Sequence, residues 1–261
     1  MKTFYVVGSR ASKSLSPTIF NYWFKKYKIK ASYDYLECDE KHFDKKIKET
    51  LKKNNLRGLN ITIPFKKKIM KHVDVLDKHS KKIKAVNCLL LKNKIKGYNT
   101  DWIGYYETLP KKINPKKNKV ILIGYGGAAL AIHYVLKLNG FKEIMIFNRS
   151  KKKINFEKKI KYTIPLNKLN LYLSCADIII NTTPKNPIKD KDKGLVSSTT
   201  LLSDIVYNPK KTAFLKAFPK NKKIYGISML LEQAIPCFEL WFGFKPVVDS
   251  GLIKILNNKI K

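Results

Sequence analysis

Arginine is scarce in this 261-residue chain: only Arg10, Arg57 and Arg149 stand among 54 basic residues. Against 19 acidic residues the formal net charge is +35, a balance that by itself suggests a polyanionic partner. Proteins that read bases or phosphates geometrically favour the planar guanidinium, whereas the lysines here are spread over the whole chain. That argues against a specific nucleic-acid reader and leaves only salt-sensitive, non-specific attraction. Cysteine is sparse too. Cys38, Cys88, Cys175 and Cys237 include no closely spaced pair, so no zinc or redox motif is visible, no metal is expected, and the thiols read as packing. Long apolar runs are missing. The longest, 120–132, is interrupted by three glycines, and the N-terminus (MKTFYVVGSR) is too short in apolar residues for a secretory signal. A cytoplasmic protein without membrane contact is expected.

What the chain does contain is enough apolar sequence, 44%, for a sizeable core, and a length suited to one large or two modest domains. Strand-like and helix-like segments alternate. Thr3–Ser9, Ser32–Cys38, Gly58–Ile63 and Val86–Leu91 read as strands. Pro17–Tyr27, with Ser16 as N-cap, and Lys41–Lys53 read as helices. Such alternation predicts a mostly parallel sheet with helices on its faces. The polar stretch Pro110 to Asn118 reads as a linker. Beyond it, strands are predicted at Lys119–Ile123, Glu143–Phe147, Asp177–Asn181, Leu202–Val206 and Lys223–Tyr225. A helix is predicted over Gly127–Leu138, stopped by Asn139-Gly140, and two more from Met229 onward, broken near Gly243–Pro246.

The segment Gly124-Tyr-Gly126-Gly127-Ala128-Ala129 fits G-x-G-x-x-A between a strand and a helix. The first glycine permits the tight turn, the second lets backbone approach a pyrophosphate, and the small third residue packs helix on strand. The next strand ends in Asn148-Arg149-Ser150, where an NAD site would carry an acidic residue for the ribose. Arg149 suits a 2′-phosphate instead, which favours NADP. In the first half, polar clusters fall at predicted strand ends: Ser14 with Ser16, Asn60 with Thr62 and Lys66, and Asn87 with Asn99-Thr100-Asp101. Hydroxyls and amides there suit a small polyhydroxylated ligand bearing a carboxylate, and Lys66 and Asp101 are the opposite-charge pair among them.

Nine segments, in order and over nearly the whole chain, resemble the shikimate dehydrogenase family. They are Ser14-Leu-Ser-Pro17 with Asn21, Gly58-Leu-Asn60-Ile-Thr62-Ile-Pro64-Phe-Lys66, Ala85-Val-Asn87, Gly97-Tyr-Asn99-Thr-Asp101, the Gly124 turn, Asn148-Arg149-Ser150, Asn181-Thr-Thr-Pro184, Asp204-Ile-Val-Tyr207-Asn-Pro209, and Met229-Leu230 with Gln233-Ala234. The resemblance implies an α/β protein of two domains. Residues 1–101 plus 227–261 would form an α/β substrate-binding domain, and 102–226 a Rossmann-type NADP-binding domain with a parallel sheet. It implies reversible NADPH-dependent reduction of 3-dehydroshikimate to shikimate, on the route to chorismate and aromatic amino acids, by a monomer or homodimer. The alternative is a sister enzyme acting on quinate or another hydroxylated cyclic acid.

Carried over residue by residue, the resemblance makes Lys66 and Asp101 the catalytic pair. Ser14 and Ser16, with Tyr207, would take the substrate carboxylate, and Thr62, Asn87, Asp101 and Gln233 the ring hydroxyls. Gly124, Gly126, Gly127, Ala128, Asn148, Arg149, Ser150, Thr182, Val206, Gly226 and Met229 would line the cofactor. The chain also departs from the family pattern. Lys13 and Phe20 stand where two histidines are usual, Thr182 replaces an alanine, Ser228 a glycine, and Trp102 follows Asp101 where glycine is frequent. Both serines are kept, which favours shikimate over quinate.

Overall fold

Two six-stranded sheets organise the chain, each in its own unit: Met1–Ile103 with Leu231–Lys259, and a second built on Gly104–Leu230. The structure, a computed structural model, describes residues 1–154, 156 and 160–260. The expected domain end at residue 261 lies outside the described residues. The expected boundaries at 101/102 and 226/227 fall at the starts of two helices that carry the chain from one unit into the other, Asp101–Thr108 and Gly226–Phe242.

The first unit begins with β1 (Lys2–Gly8), α1 (Ser16–Lys26), β2 (Ala31–Glu37), α2 (Phe43–Leu51) and β3 (Leu56–Ile61). β4 (Val75–Leu76), α3 (Lys78–Ile83), β5 (Cys88–Leu91), β6 (Ile95–Tyr98) and α4 (Asp101–Thr108) follow. The sheet order is β2-β1-β3-β5-β6-β4. It is mostly parallel as expected, but β5 runs antiparallel to both β3 and β6. Only Lys92-Asn-Lys separates β5 from β6, and so short a loop can join only antiparallel strands. β6, β4 and α3 were not anticipated. Ile95-Lys-Gly-Tyr has a glycine and little apolar pattern to announce a strand. α1 starts one residue earlier than predicted: Ser16 lies inside it, Leu15 is the N-cap, and the Ser14 hydroxyl accepts the Ser16 N–H at 3.2 Å.

The second unit carries β7 (Val120–Ile123), α5 (Gly127–Leu138), β8 (Ile144–Asn148), β9 (Ile164–Pro165), β10 (Ile178–Asn181), β11 (Leu201–Asp204), α6 (Ala213–Lys216) and β12 (Lys223–Tyr225). Its order is β12-β11-β10-β7-β8-β9, every pairing parallel. β7 is buried along its length, as a strand covered on both faces must be. α5 has the predicted limits and ends at Asn139 with Gly140 at φ +84°. The stretch 110–118, expected as a linker, lies inside this unit and closes on itself: Asn118 N–H donates to the Asn114 carbonyl at 2.9 Å. α7 (Gly226–Phe242) starts three residues before its predicted limit and α8 (Ser250–Lys259) follows, with the break where expected. No described helix is long and apolar enough to cross a membrane, and no described group of three His, Cys, Asp or Glu could hold a metal ion.

The first unit has a mostly aliphatic core cluster around Val7, Ile47, Leu59 and Ile69, and an aromatic one. Phe4 and Phe20 pack on Trp241 at centroid distances of 4.6 and 5.0 Å, and Trp23 on Phe238 at 5.4 Å. The Trp241 indole donates to the Leu89 carbonyl at 2.9 Å and lies directly over Gly58, where an added Cβ would strike it. Gly58→Ala is therefore expected to lower unfolding stability by about 1–3 kcal/mol through overpacking. A thermal melt matching that of the unsubstituted protein would refute this packing.

Candidate active site

In the first unit, β1 and β3 end, β5 begins and β6 ends at one edge of the sheet, and the polar clusters gather there. Lys66 stands in the turn after β3, its carbonyl accepting the Val86 N–H at 2.7 Å. Asp101 opens α4, its N–H donating to Asn99 Oδ1 at 3.1 Å. Lys66 Nζ donates to Asp101 Oδ2 at 2.6 Å, with side-chain exposures of only 12% and 6%. In a chain whose lysines are surface residues by default, a nearly buried ammonium on a carboxylate needs a local reason.

Asn87 completes the arrangement. Its Nδ2 lies 2.9 Å from Asp101 Oδ1, 2.9 Å from Thr100 Oγ1 and 3.2 Å from Gln233 Oε1, while its Oδ1 accepts the Thr100 N–H at 2.7 Å. Two amide protons are thus shared among three acceptors. Gln233 reaches this cluster from α7, at a separation of 146 residues. Ser14 and Ser16 form a pair of their own, hydroxyl to hydroxyl at 3.1 Å. Thr62, half-buried, starts the turn that carries Lys66, its N–H donating to the Val7 carbonyl at 2.9 Å.

Beneath these residues lies a supporting layer in which Asn60 meets Tyr33 and Cys237, two residues outside the polar clusters. Asn60 Nδ2 donates to the Asn87 carbonyl and to Cys237 Sγ, both at 3.1 Å, and its Oδ1 accepts from the Tyr33 hydroxyl at 2.7 Å. Nothing in the strand ASYDYLE singles out Tyr33. Burial, then a hydrogen bond with Cys237, pushes the Cys88 thiol well above its ordinary pKa, which keeps it an unreactive packing group. Asn21 exchanges two hydrogen bonds with the Tyr33 backbone and so ties α1 to β2. Phe20, one of the departures noted above, is core: it stacks on the Tyr33 ring at 4.6 Å.

The second unit presents a different surface. Gly124 sits at φ +93°, and a Cβ there would fall on Thr182 Oγ1, which itself donates to the Ile123 carbonyl at 2.6 Å. Gly126 is the N-cap of α5, and a Cβ built on it would meet nothing within 4 Å. Gly127 and Ala128 form the first turn of that twelve-residue helix, whose leading N–H groups have no partner within the helix. Open space over backbone donors at the positive end of a helix fits a pyrophosphate. The Gly124 N–H donates to the Phe147 carbonyl at 2.8 Å, joining this turn to the end of β8. There Asn148 Nδ2 donates to the Ser150 carbonyl at 2.9 Å, and Arg149 is exposed with no acidic neighbour in sequence. Val206 N–H donates to Asp204 Oδ1 at 3.0 Å, Tyr207 is half-buried in the same turn, and Met229 is buried in α7. A Cβ at Gly226 would lie 2.5 Å from the Ile205 carbonyl oxygen, so α7 can start against that turn only with glycine.

The family model described as "Shikimate dehydrogenase substrate binding domain" matches residues 6–89, and that described as "Shikimate / quinate 5-dehydrogenase" matches 108–205. The chain is 34% identical over 272 residues, all of both chains, to a Clostridium beijerinckii protein named shikimate dehydrogenase (NADP(+)). Among solved structures, shikimate dehydrogenase 1 of Peptoclostridium difficile superposes with a TM-score of 0.84 at 28% identity, covering 99% of this chain and 98% of that one. The Thermus thermophilus shikimate 5-dehydrogenase, solved in complex with NADP(H) and shikimate, gives 0.82 at 26% identity over the full length of both.

The sharing at Asn87 has a measurable consequence. Asn87→Ala leaves Asp101, Thr100 and Gln233 short of a donor, and a loss of about 1–3 kcal/mol of unfolding free energy is expected. An unshifted denaturant midpoint would show that the amide bonds carry no net stability.

Proposed function

The chain belongs to the shikimate dehydrogenase family, and from that premise we propose that Lys66 and Asp101 carry its reaction. The protein is an NADP-dependent oxidoreductase that reversibly reduces 3-dehydroshikimate to shikimate, in the pathway to chorismate. The observation that supports the role of the pair is the 2.6 Å contact of a nearly buried ammonium with a carboxylate that Asn87 also holds. The relatives named for shikimate support this substrate over quinate.

The first unit binds substrate. Ser14 and Ser16 take the carboxylate, and Thr62, Asn87 and Gln233 orient the ring hydroxyls. NADPH, when bound, supplies a hydride to the ketone carbon. Lys66 holds a proton at Nζ next to the ketone oxygen, stabilises the negative charge that develops there and delivers that proton to make the alcohol. Asp101 Oδ2 orients the ammonium. In the reverse direction the proton returns to Nζ.

The second unit holds the cofactor. Gly124, Gly126, Gly127 and Ala128 cradle the pyrophosphate, and Asn148, Arg149 and Ser150 clamp the adenosine 2′-phosphate. Thr182, Val206, Gly226 and Met229 would line the rest of the cofactor. Arg149 at the end of β8, where an NAD site would carry an acid, supports NADP. Soluble small-molecule partners support a cytoplasmic enzyme, active as a monomer or homodimer.

Purified protein should reduce NADP when given shikimate, followed by nicotinamide absorbance, with NAD and quinate in parallel. Faster turnover of quinate, or of NAD, would overturn the assignment. Lys66→Ala is expected to lower turnover by about 10²–10⁴-fold with the KM for shikimate changed only a few-fold. A near-normal turnover number in that variant would remove Lys66 from the chemistry.

A further inference from the structure

The structure assigns Asp204 a positioning role: its carboxylate holds together the two loops, 182–185 and 205–212, that carry Thr182, Val206 and Tyr207. The inference rests on the cofactor site proposed above and deepens it. Asp204 ends β11 and pairs in register with Asn181, the last residue of the neighbouring parallel strand β10. Both side chains are buried. Oδ1 of Asp204 accepts from the Val206 N–H at 3.0 Å. Oδ2 accepts from the Thr212 hydroxyl at 2.6 Å and from Asn181 Nδ2 at 3.3 Å. All three donors are neutral.

Two of the donors, Asn181 and Thr212, each fix a further segment. Asn181 clamps its own loop: Nδ2 donates to the Thr183 and Lys185 carbonyls, both at 3.1 Å, and Oδ1 accepts from Thr183 N–H at 3.0 Å and Thr183 Oγ1 at 2.8 Å. The next residue, Thr182, donates its N–H and its hydroxyl to the Ile123 carbonyl, immediately before the Gly124 turn. On the other side, Thr212 is the N-cap of α6 and accepts the Leu215 N–H at 3.3 Å while it donates to Asp204. One continuous set of hydrogen bonds therefore runs from the glycine turn after β7, through the loop after β10, to the loop after β11.

As a stability device this arrangement is poor. Burial pushes the Asp204 carboxyl up from its ordinary pKa, against the opposing pull of its three donors, so holding it ionised carries a desolvation cost. Its value is geometric. Two oxygens in acceptor-only form can receive both loops at once, which an amide cannot do, because its NH₂ would face a donor.

The test measures direct NADP titration, KM for NADP, KM for shikimate and thermal midpoint in Asp204→Asn, Thr212→Val and Thr212→Ser. Thr212→Val leaves the carboxylate in place, so it decides the matter if Asp204→Asn does not fold. Expected are an NADP dissociation constant and KM raised about tenfold in Asp204→Asn and Thr212→Val. Thr212→Ser should stay within about twofold of the unsubstituted protein, and in the other two variants KM for shikimate should rise less than KM for NADP. Unchanged NADP binding in folded variants would overturn the inference. So would a rise in both KM values in step with a falling thermal midpoint, since that describes a purely structural residue. If the unsubstituted protein bound no NADP, the cofactor assignment itself would fail.

Discussion

A lysine ammonium held against an aspartate almost out of water is the constraint on which the first unit is built. Removing one partner of such a pair leaves an uncompensated charge, at a cost of about 3–5 kcal/mol. The pair is tolerable because its remaining valences are met. Asn87 reaches the second carboxylate oxygen, Asn99 fixes the Asp101 N–H, and Thr100 and Gln233 fix Asn87. The same bonds that let the charges stay in the protein also aim them. Fold and proposed chemistry share one network, with Asn60 and Tyr33 supporting it from below.

The second unit meets its ligand in another way. It offers backbone, a helix end and open space rather than a charged pair, and it obtains them with glycine. Gly124 adopts a left-handed conformation under the Thr182 hydroxyl, and Gly126 leaves the approach to α5 clear. Both units nevertheless follow one rule: chemistry-bearing residues gather at the carboxyl ends of parallel strands, where loops are free to vary without disturbing the sheet. The first unit bends the rule once. The β5–β6 hairpin brings Asn87, just before β5, and Asp101, just after β6, to the same edge as Lys66.

How far the sequence could be read follows from the range of the interactions. α5 was readable to the residue, because a glycine turn starts it and Asn139-Gly140 stops it, and both signals are local. The Lys66 and Asp101 types were suggestive, but their contact spans 35 residues and nothing in the spacing states it. Gln233 was reachable only through family resemblance, since its partner lies 146 residues away. Tyr33 and Cys237 carried no signal, being ordinary strand and helix residues until the fold places them against Asn60. β6 and β9 were missed because they are short and weakly apolar, and pairing with a neighbour makes them strands. The Ser16 cap was misplaced by one residue because Ser14 offers the same hydroxyl two positions earlier.

The first unit takes its last pieces from the far end of the chain. Phe238 and Trp241 close the aromatic core around Phe4, Phe20 and Trp23, and Gln233 closes the network at Asn87. A ribosome emits residues in order, at roughly 5–20 per second. The 1–103 segment must therefore wait on the order of ten seconds, its aromatic face uncovered, while the whole of the second unit is made. Of the two units the one made first is the one completed last, and the time its aromatic face stays uncovered is set by the speed of translation.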